Sequence, residues 1–219
     1  PGGGPGEGPG TRGRLEAPGF ARPERVLDQS NVGGLAKFLP DAGGGCDFVL
    51  SERGVSSMQI DNPTRGFSFK LEGPLDLRMD PSQGQSASAL LQSVTRQQLR
   101  ELLIENADEP YAVPLAAALQ GQYLETTLQL AELVRATLAQ AFKRSMPEDE
   151  RQTETKKALQ RVFQALRIAV NNEFGVLDAL LLQLPQCLKP GGRVAILSFH
   201  SGEDRRVKKA FQSGERDGT

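Results

Sequence analysis

Two hydrogen-bonding side chains, Glu52 and Gln59, lie near the two ends of a short loop at residues 51–59 that is rich in glycine and serine. We call it the serine loop. The loop follows Cys46–Leu50, whose short apolar run is typical of a buried strand. Open α/β sheets bind their ligands at the carboxyl ends of strands, so this loop stands where a ligand would bind. A carboxylate there can accept hydrogen bonds from the hydroxyl or amine groups of a cofactor. The alternative is a solvated loop without a ligand.

Further polar candidates lie in the same loop and after a second strand. Ser56 and Ser57 could contact a bound substrate, or could form turn and capping hydrogen bonds. His200, the only histidine of the chain, ends a strand predicted at Arg193–Phe199. A lone histidine at such a place is more often structural. Its position opposite the serine loop nevertheless makes His200, with Ser198, a candidate for the substrate site.

Two neighbouring asparagines, Asn171 and Asn172, interrupt an apolar helical pattern. Asparagine is slightly unfavourable inside a helix, so the pair indicates a polar purpose. Asn171 could take part in a buried hydrogen-bond network or could line an active site, and the sequence leaves both open.

The elements that must position these residues follow from apolar spacing. Residues 193–199 have a continuous apolar middle, which is typical of a strand inside a parallel sheet with both faces covered. Residues 189–192 predict a turn before it. Apolar spacing predicts helices over 88–103, 115–118 and 128–142, the last capped by Thr127, and a long helix over 153–188 that Gly175 or Pro185 could bend.

The order of strand, helices, long helix and strand predicts an α/β fold interrupted by an all-α module. The predicted boundaries are 25–60 together with 153–219 for the α/β domain, and 61–152 for the helical insert. Residues 1–24 contain eight glycines and five prolines, a composition that predicts disorder because it offers little apolar surface to bury.

Net charge, cysteine count and the length of apolar runs limit the kinds of ligand and location to expect. The 219 residues carry a net charge of −1, so nucleic-acid binding would need local basic patches and not a global positive field. Residues 151–167 hold five basic side chains against Glu154, which could contact phosphates or form a solvated helix face. Cys46 and Cys187 stand far apart and give neither a disulfide framework nor a zinc pattern. We expect no metal and, without a run of 18 apolar residues, no membrane span.

Four stretches together resemble the MraW (RsmH) methyltransferase family. They are GVSSMQIDNPTRGFSF at 54–69, continuing through GPLDLRMD at 73–80; TLQLAEL at 127–133; FQALRIAVNNE at 163–173; and LKPGGR at 188–193, continuing through SFHS at 198–201 and EDR at 203–205. The first and third stretches are highly specific, whereas LKPGGR occurs in many methyltransferases. The resemblance covers about residues 25–212.

The resemblance implies a Rossmann-like class I methyltransferase domain, partial in this chain, with a helical insert. It implies S-adenosylmethionine as methyl donor and the N4 amine of a cytosine in small-subunit ribosomal RNA as acceptor. Glu52 and Gln59 match cofactor-binding positions, and Val32 stands where members usually have a phenylalanine near the cofactor. The implied location is the bacterial cytoplasm or the matrix of a mitochondrion or plastid.

Three departures from the family pattern support a second hypothesis. Glu52-Arg53-Gly54 replaces an acidic-Leu-Gly triplet, Val32 replaces the usual phenylalanine, and no Gly-Gly-His loop follows an upstream strand. We therefore expect an incomplete relative with weak or no activity by itself. The alternative function is a non-catalytic fragment or degenerate paralogue that binds RNA or a ribosomal partner.

Overall fold

The computed structural model describes residues 44–52, 54–55, 57–142 and 146–218, with only the backbone at 57 and 58. The predicted disorder of residues 1–24 and a helix that apolar spacing predicts over residues 32–39 both fall outside these ranges. The elements are β1 (Cys46–Glu52), α1 (Ser57–Asp61), a 3-10 helix (Pro63–Arg65), α2 (Ala87–Ser93), α3 (Arg96–Ala107), α4 (Ala112–Leu119), α5 (Thr127–Ala141), α6 (Glu148–Val170), α7 (Glu173–Cys187), β2 (Leu188–Leu197) and α8 (Ser201–Asp217).

The described chain divides into two compact units. The sheet unit contains 44–52, 175–198 and 206–218, and the helical unit contains the described residues of 54–174 together with 199–205. The boundaries drawn from the sequence stay a prediction; α6 runs through the predicted limit at 152/153. No helix in the described ranges is both long and apolar enough to cross a membrane.

In the sheet unit, β1 and β2 pair in parallel, which confirms the predicted strands and their direction. Regular pairing runs from Phe48 opposite Arg193 to Glu52 opposite Leu197. The predicted turn at 189–192 is instead an irregularity within β2, between the pairs Cys46–Leu188 and Phe48–Arg193. Gly191, at φ 79°, supplies the left-handed conformation that lets the extra residues bulge without ending the strand.

The two faces of this strand pair differ. One face buries Val49 against Leu180 and Leu184 of α7, with Val194 and Ile196 at the margin. On the other face, Phe48, Leu50 and Leu197 are 56%, 61% and 43% exposed. The sequence predicted a sheet that is covered on both faces. Among the described residues only one face of the strand pair is covered, so cover on the second face stays a prediction.

The helical unit is built around the buried faces of α2 to α6. Its fully buried side chains are mostly leucines, at 91, 99, 103, 115, 119, 130, 138 and 166. The helix predicted over 88–103 is two helices, because Val94 is extended and Thr95 begins α3 with a capping box formed with Gln98.

The start of α5 corrects another prediction. Its cap is Thr126, whose hydroxyl and the side chain of Gln129 form a second capping box. Thr127, predicted to be the cap, is fully buried; its hydroxyl donates to the carbonyl of Leu71 at 2.7 Å and accepts from the amide of Gly73 at 3.2 Å. A buried hydroxyl needs such partners, and the loop supplies them.

The long helix predicted over 153–188 breaks at the asparagine pair and not at Gly175 or Pro185, which both lie within α7. Asn172 adopts a left-handed conformation at φ 48°, which asparagine tolerates better than most residues. The break separates α6 from α7.

Two glycines lock the turn-rich segment between α1 and α2. Gly66 has φ 68°, and a Cβ there would overlap the carbonyl oxygen of Pro74. A Cβ on Gly73 would overlap the carbonyl oxygen of Pro63. At these two positions the backbone passes so close to another part of the same segment that only glycine fits without a shift.

We expect Gly66→Ala to lower the free energy of unfolding by about 3 kcal/mol or more, because the methyl group meets a carbonyl that cannot move cheaply. Chemical denaturation measures it. Gly121→Ala is the matched control: Gly121 has φ 75° but no atom within 4 Å of its Cβ position, so only the conformational cost of about 1–2 kcal/mol remains. Equal losses for the two variants would contradict the close approach.

Candidate functional site

Two predicted site residues lie at the carboxyl edge of the parallel strand pair. Glu52 is the last residue of β1 and pairs with Leu197, and Ser198 follows directly. Both Glu52 and Ser198 are exposed. In a parallel sheet this edge is where ligands bind, so a carboxylate and a hydroxyl are available there to a ligand.

The serine loop is described only in part. Val32 and Ser56 lie outside the described residues, and Ser57 begins α1 with its side chain outside them. Gln59 lies within α1 and is half-buried. A Cβ on Gly54, which opens the loop, would lie 3.6 Å from Cδ2 of Phe199. The loop thus begins beside the residue that precedes His200.

His200 is packed and not displayed to solvent. Its side chain is 11% exposed, and its ring lies against that of Phe174 with centroids 5.8 Å apart. Nε2 lies 3.7 Å from Oε2 of Glu203, which is 1% exposed and accepts a hydrogen bond from the backbone amide of Phe199 at 3.0 Å. The carboxylate therefore fixes the backbone before α8 and stands beside the imidazole.

Gly202 explains how this packing is possible. A Cβ on Gly202 would lie 2.7 Å from Cζ of Phe174 and 3.2 Å from Nδ1 of His200. Because only a hydrogen fits, the first turn of α8 lies directly against both rings. The site therefore uses glycine for close approach and not for an unusual backbone angle.

Asn171 makes the buried hydrogen-bond network that was one of its two predicted roles. Its Nδ2 donates to the carbonyls of Leu77 at 2.7 Å and Arg167 at 2.9 Å, and its Oδ1 accepts from the amide of Met79 at 2.7 Å. Leu77 is 1% exposed with φ 62°, a costly conformation for leucine. The amide thus holds a strained backbone in place. Lining of the active site stays a prediction.

Several charged side chains position the break between α6 and α7 and the start of α8, and the sequence pattern did not predict them as site residues. Glu173, 4% exposed, accepts hydrogen bonds from Arg167 at 2.8 and 3.2 Å across the helix break. Asp108 accepts from Arg205 at 2.9 Å and from the hydroxyl of Ser201 at 3.3 Å. Glu203 was also not predicted. Its position in the first turn of α8, where an acidic side chain often accepts from backbone amides, was the signal in the sequence that could have indicated it.

The basic stretch at 151–167 is largely paired with carboxylates. Lys157 lies 2.7 Å from Glu154, and Arg161 lies 3.9 Å from Glu154 and 4.0 Å from Glu109. Together with the Arg167–Glu173 pair, these contacts favour a structural role for three of the five basic side chains. Lys156 remains as a candidate for phosphate contact, and Nε of Arg151 donates to the carbonyl of Met146 at 2.9 Å.

A cleft of about 200 Å³ opens beside the serine loop. Its apolar lining includes Val55, Ile60, Phe67 and Phe163, and its polar lining includes Gln160, Gln164 and Arg167. Aromatic faces and amides are the groups that bind a planar, hydrogen-bonding base. No cluster of three or more metal-ligating side chains occurs in the described part of the chain.

Among the described residues of the helical unit, three carboxyl groups have shifted pKa values; that of Asp80 is lowered by hydrogen bonds from Ser82. The guanidinium of Arg78 donates to both oxygens of Asp76, at 2.7 and 2.8 Å, and this hydrogen bonding lowers the pKa of Asp76. Burial raises the pKa of Glu109, although the Tyr111 backbone amide and the charge of Arg161 act in the opposite direction. The ionised form of Asp76 is therefore stabilised by its contact with Arg78. The ionised form of Glu109 is destabilised by burial.

Comparison with known proteins identifies relatives over nearly the whole sequence. Residues 19–218 match the family model described as MraW methylase. The ribosomal RNA small subunit methyltransferase H 1 of Lachnoclostridium phytofermentans is 46% identical over 213 residues, which cover 95% of this chain and 57% of the relative. The methyltransferase H 2 of Acholeplasma laidlawii is 48% identical over 215 residues, covering 96% and 60%.

A third relative, the ribosomal RNA small subunit methyltransferase H of Halorhodospira halophila, is 44% identical over 182 residues, 80% of this chain and 53% of the relative. The chain thus spans somewhat more than half the length of these curated relatives.

Replacing Asn171 by alanine should lower the free energy of unfolding by about 2–4 kcal/mol, because the buried carbonyl of Leu77 and amide of Met79 lose their partner. Urea denaturation measures it. The control is Asn172→Gly, at an exposed residue with φ 48°, where glycine should change stability by less than about 1 kcal/mol. A small effect of Asn171→Ala would show that the network does not hold the segment.

Glu109→Gln should change how stability depends on pH. A carboxyl whose pKa is raised on folding stabilises the protein least when ionised, so stability falls as pH rises from the unfolded pKa through the raised folded pKa. The variant lacks this fall and keeps an acceptor for the amide of Tyr111. Denaturation between about pH 4 and 8 should therefore show that the free energy of unfolding of the variant increases relative to that of the original protein as pH rises.

The control for that comparison is Glu101→Gln, which removes an exposed carboxylate from α3. An unchanged difference between Glu109→Gln and the original protein across the pH range would show that burial of Glu109 has no net cost.

Proposed function

Because this chain belongs to the MraW methylase family, we propose that it forms part of an enzyme that methylates the N4 amine of a cytosine in small-subunit ribosomal RNA, with S-adenosylmethionine as donor. Identity of 46% over 95% of the chain is the observation that carries the proposal, since it spans every stretch that resembled the family. Such a substrate would place the enzyme where ribosomes assemble, in the cytoplasm or an organelle matrix.

We propose that the sheet unit belongs to a Rossmann-like methyltransferase domain and that residues 61–152 form a helical insert in it. Parallel pairing of β1 with β2, two strands far apart in sequence, supports this because parallel neighbours need a crossover connection. The apolar second face of the pair also supports it, since buried parallel sheets are covered on both faces.

The residues at the strand edge fit the proposed donor. S-adenosylmethionine, when bound, supplies a methyl group activated by its sulfonium charge. Glu52, exposed at the end of β1, can accept hydrogen bonds from ribose hydroxyls or an amine, and Gln59 offers an amide. The longer side chain of Glu52, relative to the aspartate usual in the family, reaches further from the same backbone position.

The acceptor chemistry requires positioning more than a nucleophile. The N4 lone pair of cytosine is delocalised into the ring, so the amine must be held in line with the methyl group while its N–H groups donate to acceptors on the protein. Ser198, exposed after the end of β2, offers a hydroxyl for this purpose, and contact with Ser56 or Ser57 stays a prediction. The base must first leave its stack, which costs least in single-stranded or irregular RNA.

The proposal predicts that the protein carrying this sequence binds S-adenosylmethionine with roughly micromolar affinity. It also predicts that Glu52→Ala weakens binding about tenfold or more, because a charge-assisted hydrogen bond is lost. Calorimetric titration measures both, and transfer of labelled methyl groups to small-subunit ribosomal RNA measures the activity.

Asp47→Ala is the matched control, since Asp47 lies near the other end of β1, is 85% exposed and pairs with Lys189. It should leave cofactor affinity unchanged. Retained RNA binding without cofactor binding or methyl transfer would refute the enzyme and favour the alternative, a non-catalytic RNA-binding relative.

A further inference from the structure

A second cleft, of about 470 Å³, lies in the helical unit between α5 and α6; we call it the α5–α6 cleft. Its α5 wall is Arg135 and Ala139 with Phe142, the extended residue that follows the helix, and its α6 wall is Glu148, Arg151, Gln152, Thr155, Lys156 and Leu159; Phe69 also lines the cleft. The spacing of three, four and seven residues places the α6 set on a single helix face, and Arg135 and Ala139, four residues apart, share a face of α5. The volume falls in the range of roughly 300–1,000 Å³ typical of ligand sites.

The cleft is electropositive. Arg135, Arg151 and Lys156 face one carboxylate, Glu148. Arg135 and Lys156 are exposed and form no ion pair with another described residue, in contrast to the neighbouring Lys157, which Glu154 pairs at 2.7 Å. Two cations on opposite walls therefore keep their charge available to an anion.

The inner part of the cleft is apolar and rigid. Phe69 packs edge-on against Phe163, with centroids 5.7 Å apart, and Phe142 packs edge-on against Tyr111 at 5.4 Å. Leu159 and Ala139 complete the apolar lining. Because these contacts hold the phenylalanines, the cleft offers a fixed apolar surface below a cationic rim.

A flat apolar surface below unpaired cations matches one chemical class well: a nucleotide with a stacking face and a phosphate. We propose that the α5–α6 cleft binds a nucleotide of single-stranded RNA, with its phosphate at Arg135 and Lys156 and its base against Phe69. The choice of RNA rests on the proposed function. The cleft is a site of attachment and not of methyl transfer, since its cations Arg135, Arg151 and Lys156 do not line the smaller cleft beside the serine loop; Phe69 lines both clefts.

The test compares Arg135→Gln, Lys156→Gln and the double variant with Lys157→Gln in the protein that carries this sequence. Fluorescence anisotropy with a labelled single-stranded RNA of about 12 nucleotides gives the dissociation constant at several salt concentrations. Each cleft variant should weaken binding and reduce the slope of log affinity against log salt by about 0.7, because one phosphate contact is lost. Lys157→Gln, one residue away on α6, should change neither.

A second variant tests the apolar surface. Phe69→Leu keeps an apolar side chain towards Phe163 but removes the flat ring, and it should weaken RNA binding about fivefold or more without changing the salt slope. Far-ultraviolet circular dichroism and thermal melting identify any variant that has merely unfolded; Phe69→Tyr, which keeps the ring, should bind as the original does.

Several outcomes would overturn the inference: no RNA binding by the original protein, an unchanged salt slope in the double variant, or equal effects of Lys156→Gln and Lys157→Gln. Equal competition by inorganic phosphate and by RNA at the same phosphate concentration would show an anion site without nucleotide recognition, which also overturns it. Cofactor titration separates this result from failure of the proposed function, since Arg135→Gln and Lys156→Gln, whose positions lie outside the cleft beside the serine loop, should bind S-adenosylmethionine as the original protein does.

Discussion

The side-chain amide of Asn171 is the contact on which the organisation of the helical unit depends. It ends α6 by bonding the carbonyl of Arg167, and it reaches the backbone at Leu77 and Met79, more than 90 positions away in sequence. From the other side, Arg65 donates to the carbonyl of Met79 at 2.7 Å. One residue type with a donor and an acceptor can satisfy all of these backbone groups, whereas an aspartate or leucine cannot.

This junction also sets the surroundings of the histidine. Because the helix breaks after Asn171, Glu173 can turn back to Arg167, and Phe174 can lie against His200 and Gly202. Most charged groups of the helical unit are used in such positioning contacts. Arg135 and Lys156 of the α5–α6 cleft are exposed and form no ion pair with another described residue.

Periodicity predicted the strands and helices well, because apolar spacing reports directly which face is buried. It located β1, β2 and helices α2 to α6, and the stretch around Glu52 at a strand end, but it predicted a loop where α1 begins at Ser57. It misplaced their limits where a single side chain decides them: Thr126 and not Thr127 caps α5, and Asn172 and not Gly175 or Pro185 ends the long helix. The role of Asn171 and the burial of Glu109 depend on partners distant in sequence, which no local pattern reveals.

The helix starts of the helical unit use two kinds of chemistry, with consequences for the order in which the fold loosens. α3 and α5 begin with Thr and Gln, so their capping hydrogen bonds involve no ionisable group. α6 begins at Pro147 without a side-chain cap, and Glu148, Asp149 and Glu150 favour its first turn through their charge alone. Acid neutralises such an interaction and counterions screen it, whereas neutral caps persist. Under either condition the first turn of α6 loses this stabilisation, and that turn leads directly into the wall that carries Arg151 and Lys156.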